Sequence, residues 1–174
     1  MSEMRKIALQ NGYFTVVDNE DFELLSQYKW TLGVGGYASA HIPKKDDSYK
    51  GRFAINKRRY KDKVYLYKKA YMHWMVLPNN TGLTDHINGN TLDNRKQNLR
   101  PATHQQNMAN RKIQKNNTSG FKGVTPFKNK WRAKTRVNGA DVHIGIFGTK
   151  EEAAQAYNNF AVANFKTFAR LNYI

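Results

Sequence analysis

The strict alternation of residue types between positions 130 and 137 is the feature that most constrains the fold of this chain. Every even position in this stretch is basic, and every odd position is apolar or small. A period of two is typical of a β-strand with one buried face, and the Asn138-Gly139 pair that follows is typical of a two-residue hairpin turn. The predicted pairs on the buried face are Val137–Ala140, Thr135–Val142, Ala133–Ile144 and Trp131–Ile146. The predicted pairs on the outer face are Arg136–Asp141 and Lys134–His143.

A helix is predicted directly after this hairpin. Thr149 followed by Glu152 forms a capping-box pattern, which marks a helix start. Gly120 to Val124 is predicted as a first strand, so residues 119–174 are expected to form a three-stranded antiparallel sheet packed on one helix. Apolar residues of the helix recur at helical spacing and would cover the buried face of the sheet: Ala153, Ala156, Tyr157, Phe160 and Ala161.

The same part of the chain carries a resemblance to a known DNA-binding fold. Five ordered segments resemble the APETALA/ethylene-response-factor domain across residues 117–174: 119–124, 131–133, 144–147, 153–157 and 169–173. That family lays its sheet in the major groove of DNA, which is wide enough to admit it. Several contact positions hold Arg or Trp in the plant domains, so the resemblance does not imply the plant target sequence. The positions that it implies in contact with bases or backbone are Lys122, Thr125, Phe127, Lys134, Arg136, Asp141 and His143.

The charge of the chain also favours a polyanionic partner. The 174 residues carry a formal net charge of +16, and the sequence pI is about 10.0, which is typical of proteins that bind nucleic acid. Residues 101–149 contain nine Lys or Arg against the single acid Asp141. The alternative interpretation is that the basic stripe is a solvated sheet face. Further predicted DNA contacts, several of them in a polar linker at 111–118, are Arg100, Arg111, Lys112, Lys115, Lys130 and Arg132.

A second group of ordered polar residues lies upstream, from Asp85-His86 through Asn98 to Asn107. Imidazole titrates near neutrality, so His86 can serve as a general base. The carboxylate of Asp85 and the amide oxygen of Asn107 are ligands that suit Mg²⁺. Turn residues at 88–90 and at Asp93-Asn94 fill the gap before Asn98, and a capping box at 103–106 places Asn107 one turn into a helix. The expected order is strand, loop, strand, helix.

These residues resemble the ββα-metal finger of HNH nucleases, specifically the homing-endonuclease branch of phage and bacterial mobile elements. The resemblance covers about residues 64–110. It implies that His86 is the general base, that Asn98 orients the finger and its histidine, and that Asp85 with Asn107 hold Mg²⁺ or Mn²⁺. The last histidine of the family pattern is Asn107 here. The chain has no cysteine, so the paired-cysteine zinc clamp of other fingers is not expected. Taken alone, an Asp-His pair followed by Asn-Gly is also typical of a polar turn.

The first 63 residues carry weaker signals. Asn11-Gly12 lies between two short strand-like stretches and predicts a hairpin, and a short helix is expected to begin near Asn19. The cluster Lys57-Arg58-Arg59 either contacts the DNA backbone or forms an exposed loop. His73 lies among apolar residues and is expected to pack in the preceding strand or beside the finger.

Together these patterns predict an α+β protein of four parts. They are a β-rich region at 1–63, the nuclease finger at 64–110, the basic linker at 111–118 and a sheet-plus-helix DNA reader at 119–174. The expected function is site-specific cleavage of double-stranded DNA by a monomer that nicks one strand at a time. A non-cleaving DNA-binding regulator is the alternative, and a nuclease with little sequence preference is a third possibility. No stretch has the apolar length of a transmembrane helix and no signal-peptide core is present, so a cytoplasmic protein of a bacterial or phage-infected cell is expected.

Overall fold

The computed structural model of the protein describes residues 3–42, 52–60 and 63–174, with the backbone alone at 56–60 and 63–66. The predicted basic cluster at 57–59 therefore lies outside the described side chains. The chain divides into two compact units, Met1–Pro101 and Ala102–Ile174. Small antiparallel sheets are combined with short helices, in agreement with the predicted α+β class.

The first unit is rich in short strands. β1 and β2 form an antiparallel pair. β3 to β6 form a four-stranded sheet of order β3-β4-β6-β5, in which neighbouring strands are antiparallel. β7 pairs with β8. Its helices and strands, in chain order, are β1 (Met4–Ala8), β2 (Phe14–Asp18), α1 (Asn19–Ser26), β3 (Trp30–Leu32), β4 (Ala38–Ile42), β5 (Ala54–Tyr60), β6 (Lys63–Tyr71), α2 (Met72–Val76), β7 (Leu83–His86) and β8 (Leu99–Ala102).

The N-terminal hairpin and helix form as predicted. Gly12 occupies the β1–β2 turn with φ +80°, a conformation that glycine adopts without steric cost. α1 begins at Asn19. Apolar side chains from the hairpin, α1, the four-stranded sheet and α2 pack into one core. Its largest fully buried members are Val17, Leu25, Trp30, Ile42 and Met72.

The second unit is a three-stranded antiparallel sheet with a long helix packed on it. The sheet order is β11-β10-β9. Both predicted capping boxes are confirmed. The hydroxyls of Thr103 and Thr149 each accept from the backbone N–H three residues ahead, and the backbone N–H of each threonine donates to the side chain of Gln106 or Glu152. The helices and strands are α3 (His104–Asn110), β9 (Val124–Phe127), β10 (Lys130–Val137), β11 (Ala140–Phe147) and α4 (Lys150–Phe165).

The first strand of this sheet begins at Val124, so the strand predicted over Gly120–Val124 is wrong. The Ser119 hydroxyl donates to the carbonyl of Val124 at 2.9 Å, and side-chain bonds of this kind stabilise a turn in place of a sheet ladder. Gly123 ends the turn with φ +77°, and the ring of Tyr157 lies where a Cβ would stand. The turn therefore requires glycine at this position.

The hairpin register is confirmed near its turn and shifted beyond it. The confirmed pairs are Val137–Ala140, Arg136–Asp141, Thr135–Val142 and Lys134–His143. A β-bulge next to Ala133 then leaves Ile144 without an opposite residue, as bulges insert one extra residue on one strand. The Ile144 side chain packs instead in the apolar clusters under α4. The predicted pairs Ala133–Ile144 and Trp131–Ile146 are therefore wrong, and the observed pairs are Ala133–Gly145 and Trp131–Phe147.

Candidate active site

The end of β7 carries Asp85 and His86, two residues that are both buried, at 3% and 4% exposure of the whole residue. Adjacent residues on a strand point to opposite faces, and the two side chains have different partners. The Asp85 carboxylate accepts from Arg100, and the His86 ring faces Asn94. The backbone turns directly after His86, where Gly89 N donates to His86 O at 2.7 Å.

The carboxylate of Asp85 is held by a guanidinium group. Nε and Nη2 of Arg100 each lie 2.8 Å from the carboxylate, and such charge-assisted bonds are stronger than neutral ones. Only 17% of the Arg100 side chain is exposed. Arg100 is thus a partner of the candidate metal ligand, whereas the sequence placed it among the exposed DNA contacts.

Asn98 closes the loop between β7 and β8 from the inside. Its Oδ1 accepts from the backbone N of Asn88 at 2.9 Å, and its Nδ2 donates to the carbonyl of Asp93 at 2.7 Å. The resemblance implies that Asn98 orients both the finger and its histidine. These contacts place the Asn98 amide within the loop between β7 and β8. The side-chain amide that bonds to the His86 ring is that of Asn94, which the sequence indicated only as a turn residue.

His86 has the protonation state that a base requires. Its Nε2 lies 3.3 Å from Asn94 Oδ1. Burial lowers the pKa of His86 below its usual 6.5, while the bond to Asn94 and the negative charges of Asp85 and Asp93 act in the opposite direction. The ring is therefore neutral at physiological pH and can accept a proton.

Aromatic side chains surround the His86 ring. His73 of α2 meets it edge to face with ring centroids 5.4 Å apart, Tyr37 lies at 5.7 Å, and Tyr71 stacks on His73. Burial lowers the pKa of His73 to about 3, and the positive charge of Arg52, or of His86 when that ring is protonated, acts in the same direction. His73 is thus a neutral packing partner. The prediction that it packs beside the finger is confirmed, although it lies in a helix and not in the preceding strand.

The donor chemistry of this centre fits a hard divalent cation. Among the residues that the structure describes, no group of three or more His, Cys, Asp or Glu side chains could hold a metal. Mg²⁺ does not need such a group, because it binds through one or two carboxylates, waters and substrate phosphates. The buried Asp85 is a ligand of that kind. Asn107, the other predicted ligand, is the fourth residue of α3 and belongs to the second unit.

The stretch from β7 into α3 matches a known protein family. A family model described as HNH endonuclease matches residues 83–109. An uncharacterized HNH endonuclease of Acanthamoeba polyphaga mimivirus is 32% identical over 165 residues, which are 94% of this chain and 76% of that protein. The chain belongs to the HNH endonuclease family. No solved structure matches it.

Membership of the HNH endonuclease family indicates a nuclease that acts on DNA. Nucleases of this family generally use a divalent metal, in keeping with the oxygen donors described above. In the described parts of the chain, no helix is both long enough and apolar enough to cross a membrane.

The second unit of this HNH endonuclease carries most of the predicted DNA contacts. Basic residues occupy alternate positions along β10, as predicted, and α4 covers the opposite, apolar face. The exposed residues among the predicted contacts are Arg111, Lys112, Lys115, Lys130, Arg136, Asp141 and His143, and the half-buried ones are Lys122, Thr125, Phe127, Arg132 and Lys134.

One cross-strand pair on this sheet has unsatisfied polar atoms. Arg132 lies opposite Thr125, and its guanidinium lies 5.2 Å from the ring centre of Phe127. Arg132 Nε and Thr125 Oγ1 are buried, and neither has a hydrogen-bond partner among the described residues. Buried polar atoms are normally bonded, and these two atoms are exceptions within the described part of the sheet.

Lys122 is directed toward the protein itself. Its Nζ donates to the carbonyl oxygens of Ala109 and Met108 at the C-terminal end of α3. Burial lowers the pKa of Lys122 to about 8, and the charges of Arg170 and Arg111 act in the same direction, so the ammonium group stays protonated at neutral pH. Its predicted contact with DNA would require the ammonium group to leave these carbonyls.

Proposed function

We propose that this protein is a site-specific DNA endonuclease of the HNH homing type. The observation that carries the proposal is the buried His86 beside Asp85 at the end of β7, inside the stretch that matches the family. A neutral imidazole and a carboxylate on neighbouring positions supply the base and a metal ligand that hydrolysis of a phosphodiester needs.

In the proposed reaction, His86 accepts a proton from the attacking water. The water oxygen forms a bond to phosphorus, the bond from phosphorus to the leaving oxygen breaks, and the leaving oxygen takes a proton from solvent. The resulting imidazolium is favoured by the negative charges of Asp85 and Asp93, and Asn98 keeps the loop closed around it. A bound Mg²⁺ or Mn²⁺, for which Asp85 and Asn107 are the proposed ligands, would polarise the phosphate and neutralise charge on the leaving oxygen.

The second unit is the proposed DNA reader, of the type found in the APETALA/ethylene-response-factor domain. A three-stranded sheet with a basic outer face and a helix on its other face supports this assignment. We propose that Lys134 and Arg136, on the central strand β10, contact base edges and that the exposed basic residues at 111–115 and 130 contact phosphates.

The four-part organisation deduced from the sequence belongs to the same proposal. A chain with one finger hydrolyses one strand at a time, so the proposed enzyme nicks double-stranded DNA as a monomer. We place it in the cytoplasm of a bacterial or phage-infected cell, where a mobile element would use it. The reducing interior of such a cell suits a chain without cysteine.

Strand-specific mapping of cut ends tests this function. The purified protein is incubated with Mg²⁺ and a supercoiled plasmid library, and the 5′ and 3′ ends on each strand are sequenced. We expect nicks at one shared sequence, and a His86→Ala variant should cut at least about 10²-fold more slowly while it binds DNA equally well. Binding without cleavage would indicate a non-cleaving regulator, and cuts without a shared sequence would indicate a nuclease with little preference.

A further inference from the structure

We propose that Asn94 and Thr15 are positioning residues for His86. They hold its ring in the tautomer with hydrogen on Nε2, so that Nδ1 is the nitrogen that takes the proton from water. This inference rests on the proposed function, since it names the reacting atom of the proposed base. It also gives the N-terminal hairpin, for which the sequence indicated no role, a part in the catalytic centre.

A chain of hydrogen bonds starts in β2 and ends at the imidazole ring. The Thr15 hydroxyl donates to the carbonyl of Leu92 at 2.8 Å. The same hydroxyl oxygen accepts from Asn94 Nδ2 at 2.9 Å, and Asn94 Oδ1 lies 3.3 Å from His86 Nε2. Thr15 and Asn94 are 0% and 1% exposed, so water does not compete for these bonds.

The single hydrogen of the hydroxyl sets the direction of every bond in this chain. Because Thr15 donates that hydrogen to Leu92, it can only accept from Asn94, and the amide NH₂ must face it. The amide oxygen then faces the ring. An amide oxygen cannot donate, so the hydrogen of the neutral His86 ring is on Nε2. When Nδ1 takes up a second proton, the same Nε2–H bond becomes charge-assisted and therefore stronger.

Backbone bonds fix Asn94 against β2. Val16 N donates to Leu92 O and Asn94 N donates to Val16 O, both at 2.8 Å. Two residues further on, the backbone N of Lys96 donates to Asp18 Oδ2 at 2.7 Å. The loop that carries Asn94 is therefore attached to β2 and its end at three successive points. The amide that faces His86 cannot shift unless the N-terminal hairpin shifts with it.

Stability alone does not require a polar chain at this depth. Replacing both partners of a buried hydrogen bond with apolar groups of the same shape can leave stability nearly unchanged. Three buried polar side chains nevertheless follow one another here, and the last is the candidate base. A fully satisfied polar network selects one arrangement of its members, and the arrangement selected here is the orientation of one ring.

The test compares Thr15→Val, which removes the hydroxyl, with Thr15→Ser, which keeps it, and adds Asn94→Ala. The ¹⁵N NMR shifts of the His86 ring, assigned with a His86→Gln variant, show which nitrogen carries hydrogen. We expect the wild type and Thr15→Ser to have the Nε2–H form and equal activity. Thr15→Val and Asn94→Ala should show a mixture of the two tautomers or the opposite tautomer. Their kcat for nicking should fall to about one tenth of the wild-type value or below, with unchanged DNA affinity.

Thr84→Val is the matched control. Thr84 is also buried, and its hydroxyl accepts from Asn80 Nδ2 at 2.9 Å, but that bond does not lead to His86. This variant should lose as much thermal stability as Thr15→Val and keep its kcat. An equal loss of kcat in both variants, or an Nδ1–H ring in the wild type, would overturn the proposal.

The NMR measurement does not depend on cleavage, so the two proposals can fail separately. A wild type with the Nε2–H ring that cuts no DNA in Mg²⁺ or Mn²⁺ would refute the proposed function and support the assignment of the ring. An active wild type whose His86 tautomer and kcat do not respond to Thr15→Val or Asn94→Ala would refute the positioning role and leave the nuclease intact.

Discussion

Two nitrogens of the Arg100 guanidinium, Nε and Nη2, lie 2.8 Å from the same atom, Oδ2 of Asp85. The carboxylate is 4% exposed and the guanidinium side chain 17%, so the pair lies largely outside water. Desolvation of two charges is costly, and removal of one partner leaves the other uncompensated. Arg100 therefore holds the carboxylate of the proposed metal ligand in place.

Arg100→Met should destabilise the protein by about 3 kcal/mol, because it leaves the buried Asp85 charge without its partner. Urea unfolding at neutral pH measures the change. The double variant Asp85→Asn/Arg100→Met should recover part of this loss, since no buried charge remains. If Arg100→Met unfolded at the same urea concentration as the wild type, the pair would contribute no net stability.

Nicking should require added Mg²⁺ or Mn²⁺ and stop when a chelator is present, while the fold persists. The proposed oxygen ligands, Asp85 and Asn107, should bind these ions weakly enough for removal, and the chain has no cysteine to form a structural zinc site. Cleavage assays and thermal unfolding are compared with and without chelator. Asp85→Asn should reproduce the effect of metal removal on cleavage. A melting temperature that collapsed under chelator would point to a structural metal instead.

Stability should fall on acidification below pH 6.5. The pKa of His73 is about 3 in the folded protein against an ordinary 6.5, so between these values the unfolded chain binds a proton that the folded chain excludes. The free energy of unfolding therefore decreases as pH falls, by about 2 kcal/mol near pH 5 relative to pH 7.5. The lowered pKa of His86 acts in the same direction.

Urea unfolding of His73→Phe at the two pH values measures this contribution. Phe keeps a flat ring between Tyr37 and Tyr71 but has no proton to gain, so the difference between the two pH values should shrink. His104→Phe, at an exposed position, is the control and should leave the difference as it is. An unchanged pH dependence in His73→Phe would remove His73 as its source.

Arg136→Ala should weaken binding to a mapped site by about 1–3 kcal/mol and relax preference at a few adjacent base pairs. In the free protein Arg136 pairs with Asp141 at 2.9 Å, but both side chains are more than 60% exposed, and exposed pairs are weak. The guanidinium is therefore available to DNA at little cost. Titration of the mapped site and a scrambled duplex measures both effects.

Lys130→Ala is the contrasting variant on the same strand. Lys130 is the first residue of β10 and is exposed, as suits a phosphate contact. Its removal should lower affinity for both duplexes alike and reduce the slope of log affinity against log salt by about one. If Arg136→Ala and Lys130→Ala lowered the affinity for the mapped site and the scrambled duplex in the same way, the sheet would bind DNA without distinguishing its sequence.

Local chemistry explains which parts of the fold the sequence predicted. The capping boxes at Thr103 and Thr149 and the hairpin turns at 11–12 and 138–139 each depend on residues no more than three positions apart. The strict alternation in β10, counted outward from the turn, likewise predicts the strand register near the turn. Such signals need no knowledge of the rest of the chain.

Long-range contacts explain the rest. Asn94 follows an aspartate in a loop and looks like a turn residue, and its partner Thr15 is 79 positions away. The bulge at Ile144 depends on how that side chain packs under α4, which alternation cannot encode. The candidate base and ligand were predictable because family resemblance names them, whereas the residue that orients the base contacts it only once the loop is folded against β2.

The bonds at the end of α3 have a consequence for chimeric nucleases. Lys122 donates to Ala109 O, and Arg170 donates to Ala109 O at 3.2 Å and to Asn110 O at 2.7 Å. The helix that carries Asn107 therefore folds with the sheet downstream of it. A designer who joins a foreign DNA-binding domain after the linker at 111–118 would discard the donors that hold this helix. A junction near Pro101 instead follows the boundary between the two compact units. The attached domain must then supply its own helix with the metal ligand.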